Sequence, residues 1–211
     1  MIRGLCACCV ALLVGLGCAA ECGAQIRDEQ PQLILSVKIT GQQYCSINPH
    51  LTSLQMELKL RYRNVGNQKL ILYKGHDLFY QTKIRSVPGR SETRPYEITS
   101  LNSRYFDEEF EPLEQPSPSR VFAILPPGAA YERELKVNIG LVDADARRGK
   151  DAISEGEHEL QLIISTWYKS RPLAQKLRQE WKGRGLLWFD PVVSTPIRFA
   201  AVKPRTEASC N

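Results

Sequence analysis

Residues 54–63, LQMELKLRYR, decide the fold. Apolar residues occupy every even position of this stretch, and polar or charged residues occupy every odd one. Because successive side chains of a β-strand point to opposite faces, this alternation predicts a strand with one buried and one solvent-facing side. Turn-forming residues follow at 65–67, and an apolar run resumes at 70–73. The two segments therefore predict a hairpin or a corner of a sandwich.

Similar alternation recurs along the rest of the chain. Eight or nine short strands are separated by Gly, Pro and polar clusters, and most of them have one polar face. Both faces of a parallel sheet are normally covered, so these polar faces favour antiparallel pairing. The sequence thus predicts an all-β fold, specifically an antiparallel two-sheet sandwich. The further predicted strands lie at residues 33–39, 135–139, 160–164 and 197–201, with weaker candidates at 78–84, 96–101 and 121–125.

One segment near the C-terminal third has helical periodicity. Leu173, Leu177 and Trp181 recur at every fourth position, which places them on one face of a helix. Ser170 precedes them as an N-cap candidate, and Gly183 follows as a stop signal. The sequence therefore predicts one short helix over residues 171–182.

Residues 1–24 predict a secretory signal. Arg3 supplies the positive start, and residues 5–20 form an uninterrupted run of small and apolar side chains. That run is shorter than the roughly 20 residues that a membrane span needs. Cleavage after Ala20 and cleavage after Ala24 both leave small residues at the recognition positions, so the cleavage site stays open. We expect an exported protein, periplasmic or extracellular, with no membrane span in the mature chain.

A lipid anchor is the alternative, and it would use Cys18. The usual lipoprotein signal has Leu three positions before the cysteine and a small residue two before, whereas Gly15, Leu16 and Gly17 stand here in a shifted order. The sequence therefore favours a cleaved signal. After the signal we expect one β-sandwich domain over residues 31–203 and a C-terminal tail over 204–211.

Most of the cysteines lie in the predicted signal. Five of the seven precede residue 24, which leaves Cys45 and Cys210 in the mature protein. In an oxidising compartment two remaining thiols most simply form a disulfide. Two unpaired thiols, or an intermolecular bridge through Cys210, are the alternatives. The sequence predicts the bridge between Cys45 and Cys210.

The charge balance limits the choice of partners. The chain has 28 Lys and Arg against 23 Asp and Glu, a net charge of +5. Removal of the predicted signal takes Arg3 and Glu21 and leaves this excess unchanged. Such an excess suits anionic surfaces, but it lacks the clustered basicity of a nucleic-acid binder. We therefore expect no nucleic-acid partner.

Three turn sequences each precede a predicted strand. They are Asn64-Val65-Gly66-Asn67, Leu125-Pro126-Pro127-Gly128 and Gly156-Glu157-His158. Their order resembles the secreted bacterial immunoglobulin-like sandwiches, of which the proteinase-inhibitor-like domains are one group. The resemblance covers most of residues 31–203 and implies a fold, from which no function follows. The chain departs from antibody domains because it has no Cys-Trp-Cys spacing.

The sequence contains no local motif of the common enzymes. His50, His76 and His158 form neither HxH nor HExxH spacing, and we interpret them as solvated turn residues. Gly-x-Ser-x-Gly, Ser-x-x-Lys and phosphate loops are absent. We expect a non-enzymatic protein with no cofactor and no metal. A hydrolase without a local signature is an alternative, and it would need a pocket joining His76 or His158 to a carboxylate and a nucleophile.

The candidate binding surface is a basic segment with aromatic neighbours. Between Lys169 and Arg184 six cations accompany a single anion, Glu180. Aromatic and basic residues together can bind polysaccharide, peptide or anionic lipid, whereas in the alternative interpretation the aromatics pack the helix and the cations face water. The candidate residues are Lys169, Arg171, Lys176, Arg178, Trp181, Lys182 and Arg184.

The functional expectation is an exported domain that binds a protein or a component of the cell envelope. The family resemblance adds the inhibition of extracellular proteases as an alternative. Residues 86–95 are the loop that proteases would cleave or leave intact in that case.

Overall fold

The computed structural model describes residues 32–48, 51–74, 78–88, 95–104, 122–142, 152–167 and 170–202. The predicted signal and the predicted tail lie outside these ranges. No helix within them is long and apolar enough to cross a membrane.

The described residues form an all-β architecture with one short helix, and each predicted strand coincides with an observed one. The strands are β1 (Leu33–Asn48), β2 (Leu51–Asn64), β3 (Leu70–Tyr73), β4 (Leu78–Ser86), β5 (Glu97–Arg104), β6 (Phe122–Leu125), β7 (Ala130–Leu141), β8 (Ala152–Ile153), β9 (Gly156–Ser165), β10 (Leu186–Trp188), β11 (Val192–Val193) and β12 (Ile197–Ala201), and the helix is α1 (Arg171–Glu180).

Hydrogen bonds divide the described strands into three sheets rather than the predicted two. The orders are β1-β2-β7-β8, β10-β3-β6 and β11-β9-β4-β5, with β12 also paired to β9. Most pairs are antiparallel, but β10 runs parallel to β3 and β8 runs parallel to β7. The purely antiparallel two-sheet prediction is therefore corrected. The short strands β8 and β10, for which the sequence has no signal, are the source of both parallel pairs.

One buried cluster takes side chains from all three sheets. The five apolar residues of the 54–63 stretch are at most 2% exposed, whereas its charged residues face solvent. Leu58 lies between Ile39 of β1 and Leu135 of β7 in the register of the first sheet. Tyr62 belongs to the same row, and burial raises the pKa of its phenol above the ordinary value. The predicted alternation of β2 is confirmed.

Strand β3 is buried on both faces, which accounts for its unbroken apolar sequence. Leu70 and Leu72 pack in the main core, while Ile71 packs in a second cluster on the opposite face. Helix α1 adds Leu177 to that second cluster, and Trp181, the residue that caps the helix C-terminus, also belongs to it. The predicted helix and its apolar stripe are thus confirmed, and the helix covers the small sheet.

Asn64 joins the end of β2 to the turn that precedes β7. Its side chain is fully buried, and its Nδ2 donates to the carbonyl oxygens of Gln68 at 2.7 Å and Leu125 at 2.8 Å. Its Oδ1 accepts from the amide of Gly66 at 2.9 Å, and its own carbonyl accepts from the amide of Gly128 at 2.9 Å. Since β2 and β3 lie in different sheets, the segment between them is a corner and not a hairpin.

Cys45 lies near the end of β1, and its side chain is buried. The hydroxyl of the adjacent Tyr44 accepts from the amide of Val202 at 3.0 Å and lies 3.5 Å from the carbonyl oxygen of Ala200. Cys210 lies outside the described residues, eight positions after Val202. An extended chain of that length spans about 26 Å. The contacts of Tyr44 therefore support the predicted bridge, which remains a prediction.

We expect non-reducing peptide mapping of the native protein to recover the peptides containing Cys45 and Cys210 joined by a disulfide. Reduction should separate them. Alkylation of both thiols in the native, unreduced protein would contradict the pairing.

Candidate functional site

A tight turn follows helix α1 and approaches the start of β3. In the turn, residues 181–185, the amides of Arg184 and Gly185 both donate to the carbonyl oxygen of Trp181. At Gly185 φ is 154°, and a Cβ there would lie 2.9 Å from the carbonyl oxygen of Lys69. Both features favour glycine, because a larger residue would be strained and would collide with the backbone. The turn is therefore held against the segment that enters β3.

The helix, this turn and the start of β3 line an open groove of about 550 Å³, here called the basic groove. Its exposed cations, here called the groove cations, are Lys69, Lys182 and Arg184. Arg178 also lines it, together with the exposed amide side chains of two glutamines, Gln68 and Gln179. No carboxylate, imidazole, hydroxyl or thiol is present among the described lining residues.

Several cations on the outer faces of the sheets are paired with carboxylates. Glu97 lies 3.0 Å from Lys83 and 3.1 Å from Arg85, and hydrogen bonds from both hold the pKa of Glu97 below its ordinary value. Glu132 accepts from Lys59 at 2.7 Å, which lowers its pKa in the same way. In contrast, no carboxylate in the part of the chain that the structure describes forms an ion pair with a groove cation. Their positive charge faces water.

The structure places only two of the seven predicted binding residues among the groove cations, namely Lys182 and Arg184. Trp181 is 5% exposed, and its ring packs edge-on against Phe122 with centroids 5.0 Å apart. Its assignment to the binding surface is therefore wrong, because the indole is part of the buried face of the helix. Lys169 lies outside the described residues.

Arg171 and Lys176 are exposed, but each has a carboxylate partner. Arg171 Nη2 lies 2.9 Å from Asp190 Oδ1, and Lys176 Nζ lies 3.9 Å from Glu180 Oε1 one helical turn away. Exposed pairs of this kind contribute little to stability, but they reduce the charge available to a ligand. Neither residue lines the basic groove.

Arg178 is half-buried, which corrects its predicted place on the solvent-facing side of the helix. Its Nε donates to the carbonyl oxygen of Leu187 at 2.9 Å, and its guanidinium carbon lies 3.9 Å from the ring centroid of Phe189. A planar guanidinium can stack on an aromatic ring while it donates hydrogen bonds. Arg178 therefore ties helix α1 to the strand that follows the turn.

Sequence reasoning missed Lys69 and the two glutamines of the groove. Lys69 meets the turn at 181–185 because β10 pairs with β3, with Leu186 opposite Leu70. That pairing involves a strand of three residues, too short to show a periodicity. No local signal marks Lys69 as a neighbour of Lys182.

His158 is fully buried, which corrects its interpretation as a solvated turn residue. Its Nδ1 lies 3.0 Å from the carbonyl oxygen of Gly156, and its Nε2 lies 2.6 Å from the hydroxyl of Tyr96. Because a carbonyl only accepts, Nδ1 carries the proton and Nε2 accepts from Tyr96. The same hydroxyl accepts from the amide of Ser154 at 3.0 Å. His158 thus anchors Tyr96 in the core; the other two histidines lie outside the described residues.

Residues 89–94 of the loop named in the protease-inhibitor alternative lie outside the described residues. The ends of this loop are joined to each other. The amide of Ser86 donates to the carbonyl oxygen of Tyr96 at 3.0 Å, and the amide of Tyr96 donates to Ser86 Oγ at 2.9 Å. Inhibition of proteases stays a prediction.

No protein-family model and no curated protein matches the chain. A solved structure titled "X-ray structure of Northeast Structural Genomics Consortium target SoR45" is similar to it at 10% sequence identity, with a TM-score of 0.32. The alignment covers 85% of this chain and 93% of that one. Its title states no activity, so the function of this chain is inferred from its own residues.

Proposed function

We propose that this protein is an exported, non-enzymatic domain that binds an anionic component of the cell envelope through the basic groove. The single observation that carries this proposal is the set of three exposed groove cations without a carboxylate partner among the described residues. Clustered charge of one sign in a concave surface attracts ligands of the opposite sign and raises their local concentration.

The lining of the basic groove supports binding rather than catalysis. Its described side chains donate hydrogen bonds and carry positive charge, and none belongs to the carboxylates, imidazoles, hydroxyls or thiols of the common hydrolytic sites; Lys69 and Lys182 are exposed to water, whereas a catalytic lysine is usually desolvated or lies beside another cation. The hydrogen bonds of the 181–185 turn hold the backbone between Lys182 and Arg184 in place before any ligand arrives. Preorganisation of this kind lowers the entropic cost of binding.

The proposal includes an immunoglobulin-like sandwich as the fold. The four-stranded and five-stranded sheets both supply side chains to the main core, as the two sheets of a sandwich would. The three-stranded sheet also supplies side chains to the main core, and its other face carries helix α1; the basic groove is lined by the segment that enters β3, helix α1 and the turn after it.

Replacing Lys69, Lys182 and Arg184 together by Gln is expected to weaken binding to anionic vesicles or to acidic polysaccharide by roughly a hundredfold, because each cation near an anionic surface contributes about 1 kcal/mol. The melting temperature should change little, since exposed charges contribute little to stability. Binding by the unmodified protein should weaken once salt reduces the Debye length to roughly 8 Å. Cosedimentation over a salt series measures both effects.

A matched control removes three cations from the sheets. Lys38, Lys136 and Arg198 are exposed and lie outside the basic groove. Their replacement by Gln changes the net charge by the same amount and should leave most of the binding intact. An equal loss in the control would show that net charge alone attracts the ligand. Absence of salt-sensitive binding by the unmodified protein would overturn the proposal.

A further inference from the structure

Two neutral hydrogen-bonding groups lie among the groove cations. Gln68 and Gln179 both line the basic groove with exposed side chains. Neither amide side chain makes a hydrogen bond with a described residue. Each amide has two N–H donors and one acceptor oxygen, whereas an anionic oxygen can only accept. The groove is therefore equipped for a ligand that has both anionic groups and groups that donate as well as accept.

Sugar hydroxyls are such groups, because each donates one hydrogen bond and accepts others. The lack of exposed large hydrophobic side chains among the described lining residues of the groove argues against a membrane surface as the ligand. Membrane-bound surfaces combine cations with apolar side chains that enter the headgroup region. None of the exposed large hydrophobic residues of the described chain lines the groove; they are Ile34, Val65, Phe79, Leu101, Ile124, Val193 and Val202.

Stacking on an aromatic ring is the other common means of holding a sugar. Trp181, the aromatic residue of the turn, is buried in the second cluster and does not line the groove. Recognition here therefore depends on charge and on amide hydrogen bonds, which favours acidic over neutral sugars.

We propose, on the basis of the proposed function above, that the ligand of the basic groove is an acidic polysaccharide. The groove cations contact its anionic groups, and Gln68 and Gln179 exchange hydrogen bonds with its hydroxyls.

The test compares two polyanions of matched charge, an oligogalacturonate, which has hydroxyls, and inorganic polyphosphate, whose internal units have none. Gln68 and Gln179 are both replaced by Met, which is similar in length but lacks the amide. Loss of two hydrogen bonds should weaken oligogalacturonate binding by about fivefold to 150-fold, as measured by isothermal titration. Polyphosphate affinity should fall by a smaller factor, because its oxygens can accept from the amide N–H groups but cannot donate to the amide oxygens.

A control variant replaces Gln42 and Gln43 of β1, which are exposed away from the groove, by Met. It should bind both polyanions like the unmodified protein, and all variants should keep the same melting temperature.

The outcomes separate this inference from the proposed function. If the glutamine variant binds both polyanions as the unmodified protein does, or loses affinity for both equally, the assignment to a polysaccharide is overturned. If the glutamine variant gives either of these results and the triple groove-cation variant still loses affinity for both polyanions, the proposed anion-binding function stands and only the assignment to a polysaccharide fails. If the groove-cation variant loses affinity for neither, both proposals fail.

Discussion

Replacing Asn64 by Asp is expected to lower the free energy of unfolding by about 3 to 5 kcal/mol near neutral pH, as for other uncompensated buried charges. The change preserves the size of the side chain but converts its Nδ2 donor into a carboxylate oxygen. That oxygen would face the carbonyl oxygens of Gln68 and Leu125 at hydrogen-bonding distance without a proton between them. Because Asn64 is fully buried, water cannot compensate for the two lost hydrogen bonds.

The loss should become smaller as the pH falls. Burial beside two carbonyls disfavours the charged carboxyl in the folded state, so the penalty is complete at neutral pH and becomes smaller as the carboxyl is protonated. A residual loss should remain at acid pH, because the single O–H of the carboxyl can replace only one of the two hydrogen bonds. Urea unfolding of the variant and the unmodified protein at neutral and acid pH measures the difference. Asn67→Asp, at an exposed position of the same corner, is the matched control and should cost within about 0.5 kcal/mol. Equal losses from the two variants, or a loss independent of pH, would contradict the role of Asn64.

Leu58→Ala is expected to cost about 2 to 5 kcal/mol of unfolding free energy. Leu58 is 1% exposed and lies in register between Ile39 and Leu135 at the centre of the first sheet. Truncation leaves a cavity that close-packed neighbours fill only in part, which adds to the lost burial of the side chain.

The neighbouring residue provides the control for this substitution. Lys59 is exposed, and its ion pair with Glu132 at 2.7 Å lies in solvent. Lys59→Ala should therefore cost within about 1 kcal/mol in the same urea titration. Losses of similar size from Leu58→Ala and Lys59→Ala would show that the buried and exposed faces of β2 have been assigned wrongly.

The regular elements can be predicted because their signals are local. Alternation along residues 54–63 requires only that the strand bury one face, and the structure buries that face. The spacing of Leu173, Leu177 and Trp181 likewise predicts a helix from positions one turn apart. The same spacing also indicates the alternative that the structure supports, in which Trp181 packs the helix rather than a ligand.

The features without a sequence signal depend on partners far along the chain. Strands β8, β10 and β11 have two or three residues each, so no periodicity distinguishes them from loops. His158 follows a glycine and a glutamate, a local pattern typical of a turn, yet its hydroxyl partner Tyr96 lies 62 positions away. The basic groove also lacks a sequence signal, since Lys69 and Lys182 are brought together by the pairing of β10 with β3.

The parallel pairing of β10 with β3 also constrains the order of folding. Leu70 finds its partner at Leu186, so a long loop must close before the small sheet gains its third strand, and closing it costs chain entropy before any contact compensates. During synthesis from the N-terminus, the cluster around Ile71 has Phe122 of β6 but stays incomplete until helix α1 and the turn after it have been made. Chains whose contacts join residues far apart in the sequence fold slowly, because the loop between those residues must close first. The basic groove, which is lined by residues from Gln68 to Leu186, consequently forms only after both ends of this loop have been synthesised and paired.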